Sequence, residues 1–292
     1  MSNTSPVITI LRPHLRDLGG FAVRRVLPAF SHQTVGPFIF FDHFGPVDLA
    51  PGNGVDVRPH PHIGLATVTY LFDGALMHRD SLGSVQRITP GDVNWMTAGR
   101  GIVHSERSAP EDRAAGIRMH GLQTWVALPL DLEDTEPSFT HVPRATLPRI
   151  DVDGARVVIV AGHAFGHRAP TPATSDTLYA AVELDAGATF DILDEHEERA
   201  IYAVSGTVDI DGTTLPEAHM AVLGSRQQTR VTARSAATIM LVGGAKPDGE
   251  RFIWWNFVAS SRERIEAAKA KWRAQQYGVV PGDNEFIPLP ER

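Results

Sequence analysis

Short apolar and β-branched runs, separated by glycine or proline, repeat along the whole chain. Residues 7–11, 38–41, 66–72, 125–128, 156–161, 178–184, 201–204 and 238–242 each have strand length and strand composition. With 26 glycines and 21 prolines punctuating them, the pattern predicts an all-β sandwich or barrel. Asp73-Gly74 and Asp211-Gly212, each set between strand-like runs, predict hairpin turns. The period changes once, near the end. Ile265, Ala268 and Trp272 fall at helical spacing behind Ser260-x-x-Glu263, which reads as a capping box, and Gly278 stands where a helix would stop. A C-terminal α-helix packing Trp272 against a barrel is expected.

A faint duplication runs through the pattern. Thr67-Val-Thr-Tyr-Leu-Phe-Asp-Gly74 resembles Ala200-Ile-Tyr-Ala-Val-Ser-Gly206, and each is followed by a further strand and a proline step. Two copies of one β unit suit a chain of 292 residues. The polar, proline-bearing stretch 130–148 is the natural boundary, giving domains 1–135 and 136–292.

Composition narrows the function classes. The formal charge of −7 argues against a broad nucleic-acid surface, and zero cysteines remove disulfides, thiolate nucleophiles and zinc–thiolate sites. Neither a signal peptide nor an apolar run of membrane-spanning length is read, so a soluble cytoplasmic protein is expected.

Two motifs carry chemistry: Arg58-Pro-His60-Pro-His62-Ile-Gly64 and Gly99-Arg-Gly-Ile-Val-His104-Ser-Glu106. On a strand, residues i and i+2 share a face, so each motif offers a pair of ligands; adjoining strands would bring four donors to one point. Three imidazoles and a carboxylate suit Fe(II), Mn(II), Ni(II), Cu(II) or Zn(II). Spacing alone is cheap, however. With 13 histidines, roughly 0.6 His-x-His pairs arise by chance, a concrete false-positive risk.

The surroundings are far more specific. Phe41-Asp-His-Phe-Gly45, Pro59-His-Pro-His62 with Gly64 and Thr67-Val68, Pro90-Gly-Asp92, Trp95-Met-Thr-Ala-Gly-Arg-Gly101 with His104 and Glu106, and Gly121-Leu-Gln123 before Trp125-Val126 resemble, in order and spacing, the pirin family of the cupin superfamily. The likeness covers residues 5–130 and loosens beyond, where Trp255-Asn-Phe257 and the following helix look like one bacterial subgroup. It implies a bicupin, two stacked cupin-type β-barrels with a C-terminal α-helix, and metal in the N-terminal barrel only. The implied ligands are His60, His62, His104 and Glu106. The implied metal is foremost Fe(II). The implied activity is that of a quercetinase-type dioxygenase (quercetin 2,3-dioxygenase) taking a small aromatic substrate and O2, with Glu106 as base. The alternative is a regulatory role toward a transcription factor or metabolic enzyme. A monomer is expected, with no direct nucleic-acid or membrane partner.

Two positions depart from the family pattern. Ala66 stands where a Glu is usual and Ile63 where an Arg is usual, which predicts a more apolar entrance. Aligning Gly74 with Gly206 places Ile192 and Asp194 opposite His60 and His62, and Glu198 opposite Ala66, so no metal is expected in the second barrel. Among weaker motifs, Asp194-Glu-His-Glu-Glu198 reads as a solvated loop and His163 and His167 as surface loop histidines. Asp151-x-Asp153-Gly154 reads as a turn rather than a calcium loop, and Trp254-Trp255 as core or interdomain packing.

Overall fold

The computed structural model describes residues 5–17, 22–152, 154–225 and 227–291. Each predicted run falls on a strand, with 125–128 alone running one residue past its end: Val7–Leu11, Phe38–Leu49, Leu65–Asp73, Ile117–Ala127, Ala155–Ala164, Thr177–Leu184, Glu198–Ser205 and Ala237–Gly244. Most strands outrun their apolar segment, because ladder hydrogen bonds recruit backbone whatever its side chains. Asp153 lies outside the described residues, so the Asp151-x-Asp153-Gly154 reading does too.

The chain forms two compact units. The first draws its described residues from 1–16, 24–43 and 145–246, the second from 17–23, 44–144 and 247–292. The units therefore interleave along the chain: Val7–Leu11 pairs with Met220–Leu223 inside the first, while the terminal helix belongs to the second.

The duplication is visible in strand order. In the second unit, Leu65–Asp73 lies between Val93–Thr97 and Ile117–Ala127; in the first, Glu198–Ser205 lies between Met220–Leu223 and Ala237–Gly244. Each unit also has a four-stranded sheet with the same sequence-order pattern, first, fourth, second, third. The second unit builds it from Asp56–His62, Ile102–Arg107, Leu76–Asp80 and Val85–Ile88; the first from Thr189–Ile192, Thr229–Ala233, Val208–Ile210 and Thr213–Leu215. These are two cupin-type barrels, as the resemblance implied.

Local signals fare unequally. Asp211 (φ 46°) and Gly212 (φ 89°) make the expected two-residue hairpin, with Ile210 opposite Thr213. Asp73-Gly74 turns the chain but makes no hairpin. Leu65–Asp73 pairs with Val93–Thr97 and Ile117–Ala127, and Leu76–Asp80 enters the other sheet. The helix is Arg262–Arg273, and its N-cap is Ser261, one residue later than the capping box predicted. Ser261 Oγ accepts from the Arg264 N–H, while Ser260 is taken up by Glu133, donating to it from both N (2.6 Å) and Oγ (2.7 Å). The helix also ends well before Gly278.

Its apolar face does pack as expected. Ile265, Ala268 and Trp272 join Val103, Phe257, Ala259 and Val280 in one cluster of the second unit, with Trp254 and Trp255 beside them, so the tryptophan pair is packing material. Two histidine readings change. His163 and His167 sit on paired strands, Ala155–Ala164 and His167–Arg168, rather than in a loop, and His196, within the acidic run, is only 5% exposed rather than solvated. No helix among the described residues is long and apolar enough to cross a membrane.

Gly64 joins the ligand-bearing strand Asp56–His62 to Leu65–Asp73 at φ +68°, and a Cβ there would lie 2.0 Å from the Val258 carbonyl oxygen. Because the clash is with backbone and the φ is unfavourable for any L side chain, Gly64→Ala is expected to destabilise by at least about 2 kcal/mol. Chemical denaturation checks this; an unchanged midpoint would show that the strand connection relaxes freely.

Candidate metal centre

The two motifs meet on adjacent antiparallel strands. Asp56–His62 pairs with Ile102–Arg107, setting His104 directly opposite His60 and Ile102 opposite His62. Alternation then turns His60, His62 and His104 to one interior side, where their ring centroids lie 4.4–5.0 Å apart and one donor atom from each falls within 4.8 Å of the others. All three are buried.

Their outer partners orient all three rings alike. His60 Nδ1 lies 2.9 Å from the Arg58 carbonyl and His62 Nδ1 3.2 Å from that of Asn256. A carbonyl only accepts, so each Nδ1 carries the proton and each Nε2 keeps its lone pair. For His104 the orienting chain is longer. Asp80 accepts from His78 Nε2 (3.0 Å), which leaves His78 Nδ1 to accept from His104 Nδ1 (3.4 Å). His104 Nε2 is thereby left buried with no hydrogen-bond partner. An orphaned imidazole lone pair aimed at two more of the same kind is the donor arrangement a divalent transition metal requires, with partners of the type that hold metal ligands in place. The residues fit a metal.

His78 and Asp80, both at most 2% exposed, are members of this site that the sequence reading missed. Asp80 is pushed up by burial, yet hydrogen bonds from His78 and Ser84 bring it below the usual carboxylate range, so it stays ionised as an anchor. Phe139 stacks on His78 at 4.1 Å, fixing the ring.

Glu106 is interior but stands apart from the trio; the group with mutually close donor atoms comprises the three histidines without it. The pairing register explains the offset. Between His104 and Glu106 the partner jumps from His60 to Val57, a bulge that takes in Pro59, which has no N–H for the ladder. Glu106 Oε1 lies 3.0 Å from the Thr69 hydroxyl, and Thr69 lies 2.7 Å from Gln123 Oε1. Burial pushes the Glu106 carboxyl above its ordinary value, against the opposing effects of His78 and Thr69. His60 and Glu106 retain 7% and 8% exposure against 2% and 1% for His62 and His104, so the approach from solvent runs past His60 and Glu106.

Ile63 is not at that approach. Alternation sends it away from His62 into the helix cluster, where it bridges to Phe257, and Ala66 is fully buried in its sheet. The expected apolar entrance is therefore not built by these two residues.

Family models match this chain twice, Pirin over residues 20–126 and the Pirin C-terminal cupin domain over 179–278. The chain belongs to the pirin family. A pirin-like protein of Caulobacter vibrioides is 50% identical over 94% of this chain and 96% of its own length; human Pirin is 31% identical over 95% of each. Among solved structures, a crystal structure of quercetin 2,3-dioxygenase from Acinetobacter baumannii superposes with a TM-score of 0.91 at 30% identity, covering 98% of this pirin and 97% of that chain.

The site predicts how the metal-free protein responds to acid. Burial is the main cause that lowers His60 to about 4 and His62 and His104 well below their ordinary value. The folded state thus holds three neutral rings, whereas the unfolded chain protonates near 6.5. Stability is full above that pH and is lost as pH falls toward 4, by about 3 kcal/mol from His60 alone at 1.36 kcal/mol per unit. Thermal midpoints of metal-free protein at pH 7.5 and pH 5 test this, and equal values would contradict it.

Proposed function

We propose that this pirin is a metal-dependent dioxygenase of the quercetinase type, acting on a flavonol-like aromatic substrate with dioxygen. The observation that carries the reading is the buried, unpartnered His104 Nε2 set against the matching lone pairs of His60 and His62, with one protonatable carboxyl, Glu106, a strand step away. The relative of known structure named for quercetin 2,3-dioxygenase supports the choice of reaction. A divalent ion held by His60, His62, His104 and Glu106, which we assign as iron(II), supplies Lewis acidity toward a substrate hydroxyl and carbonyl and a place for dioxygen.

The chain's own residues do the rest. Glu106 accepts the flavonol hydroxyl proton. The Thr69 hydrogen bond on Oε1 leaves Oε2 to receive it. One hydroxyl proton cannot serve both Glu106 and Gln123, so with the Gln123 amide turned to donate, Gln123, Thr69 and Glu106 form an ordered chain that fixes the carboxyl plane. Trp125, edge-on to His62 at 5.2 Å, holds that ring in place. Aerobic incubation of the iron(II)-loaded protein with quercetin is expected to consume oxygen in step with loss of flavonol absorbance. Uptake no greater than that of metal-free protein would overturn the reading.

A further inference from the structure

The first unit brings together a second donor group that the barrel centre does not use. His163 is the penultimate residue of the strand Ala155–Ala164, Asp176 immediately precedes Thr177–Leu184, and His196 lies in the loop before Glu198–Ser205. One donor atom from each lies within 4.8 Å of the others. Their closeness has a backbone cause. Gly162 has φ +73°, and a Cβ on it would sit 1.7 Å from the Thr177 carbonyl oxygen, so only glycine lets the two strands close up beside Asp176.

The individual distances match a coordination sphere. His196 Nδ1 is 3.0 Å from Asp176 Oδ2, and His163 Nδ1 is 3.5 Å from Asp176 Oδ1. Two ligands of a tetrahedral zinc at 2.0–2.1 Å stand roughly 3.3 Å apart. His196 is oriented as metal-bound histidines are: Nε2 donates to the His163 carbonyl at 2.9 Å, which presents Nδ1 to the carboxylate. His163 Nδ1, though near Asp176, lies out of hydrogen-bonding geometry and is a buried nitrogen without a partner. The His196 side chain is 1% exposed, while those of His163 and Asp176 are 38% and 36% exposed, so the group has a rigid inner wall and an open outer side. Glu195 and Glu197 line, with His196, a cavity of about 760 Å³, and Lys246, the cation on that wall, is already paired with Glu197.

We infer that His163, Asp176 and His196 form a second, solvent-accessible site for a divalent metal of the zinc type in the C-terminal cupin unit. It does not use the positions that align with the barrel ligands, Ile192 and Asp194. Two imidazoles and one carboxylate with an outer position left for water are a donor set zinc accepts.

The test is calorimetric titration of metal-stripped full-length protein with Zn(II) at pH 7, comparing wild type, His163→Ala, Asp176→Asn and His104→Ala. His163 is part-exposed and its ring nitrogen is unpartnered, so its removal should leave the fold intact. Asp176→Asn keeps the size of the side chain and removes its charge. Wild type is expected to take two equivalents and His163→Ala one fewer. Asp176→Asn should weaken the same event by more than about 10-fold. His104→Ala should lose the other equivalent and keep this one, so failure of the barrel reading and failure of this one are separable. Equal stoichiometry in wild type and His163→Ala, or an Asp176→Asn titration that matches wild type, would overturn the inference.

Discussion

His104→Ala, made in a His163→Ala background so that only the N-terminal barrel is counted, is expected to leave the protein folded and unable to retain metal. The direct loss is one of three imidazoles whose donor atoms lie within 4.8 Å of one another. An outer hydrogen-bond partner alone is worth about 10–100-fold in metal affinity, so removing the ligand itself should cost more than about 100-fold. The fold should survive because no charge is stranded. His78 still donates to Asp80, and only its Nδ1 loses a partner, at about 1–3 kcal/mol for a buried acceptor. Asp80→Asn supplies the graded companion. It touches no donor of the trio, yet it unsettles the His78 proton that fixes the His104 tautomer, so affinity should fall by about 10–100-fold while the donors stay in place. Metal content after dialysis against a chelator reads both variants. Retention by His104→Ala equal to its parent would remove that imidazole from the ligand set, and an Asp80→Asn protein indistinguishable from its parent would reduce the Asp80–His78 chain to packing.

The two variants also mark how far the site was legible in the sequence. His60, His62 and His104 could be read because a period of two puts i and i+2 on one face, and the flanking motifs left little doubt that the strands adjoin. His78-Arg-Asp80 has that same spacing and was passed over, because on an isolated strand a His and an Asp look like a solvated pair; only the partner strand, which places His78 opposite Glu106, buries them. The offset of Glu106 was hidden for a related reason. It stems from Pro59 on the facing strand, and strict alternation along one chain cannot register a bulge in its neighbour. Turn chemistry was equally one-sided. Asp73-Gly74 and Asp211-Gly212 read alike, but the first moves the chain between sheets and the second folds it back on itself, a choice made by pairing at a distance. Most opaque were His163, Asp176 and His196: the segments of the two histidines read as surface loops, and nothing in the local pattern singled out Asp176. What local pattern did convey well was the repeated unit, because every copy of a β-barrel must alternate and turn in the same way to bury its core.

Glu106→Gln separates proton transfer from metal holding within the barrel. The amide is nearly isosteric, retains an oxygen for the Thr69 hydroxyl, and sits outside the compact histidine group, so the three imidazoles keep their arrangement. It cannot take up a proton. If Glu106 Oε2 receives the proton of the substrate hydroxyl, oxygen uptake per bound iron should fall by about 10²–10⁴-fold, the usual worth of a positioned general base, or about 3–5 kcal/mol. Loss of the negative charge should weaken metal binding as well, which is why turnover has to be expressed per metal retained rather than per chain. The pH profile gives an independent readout. Wild-type activity should rise with pH as the carboxyl gives up its proton, and this limb should vanish in the Gln variant. A variant with unchanged turnover per iron would sink the base assignment while leaving the histidine centre standing. A variant with reduced turnover but the same acidic limb would move the titrating group elsewhere, and would leave Glu106 the role of holding the substrate or the metal rather than its proton.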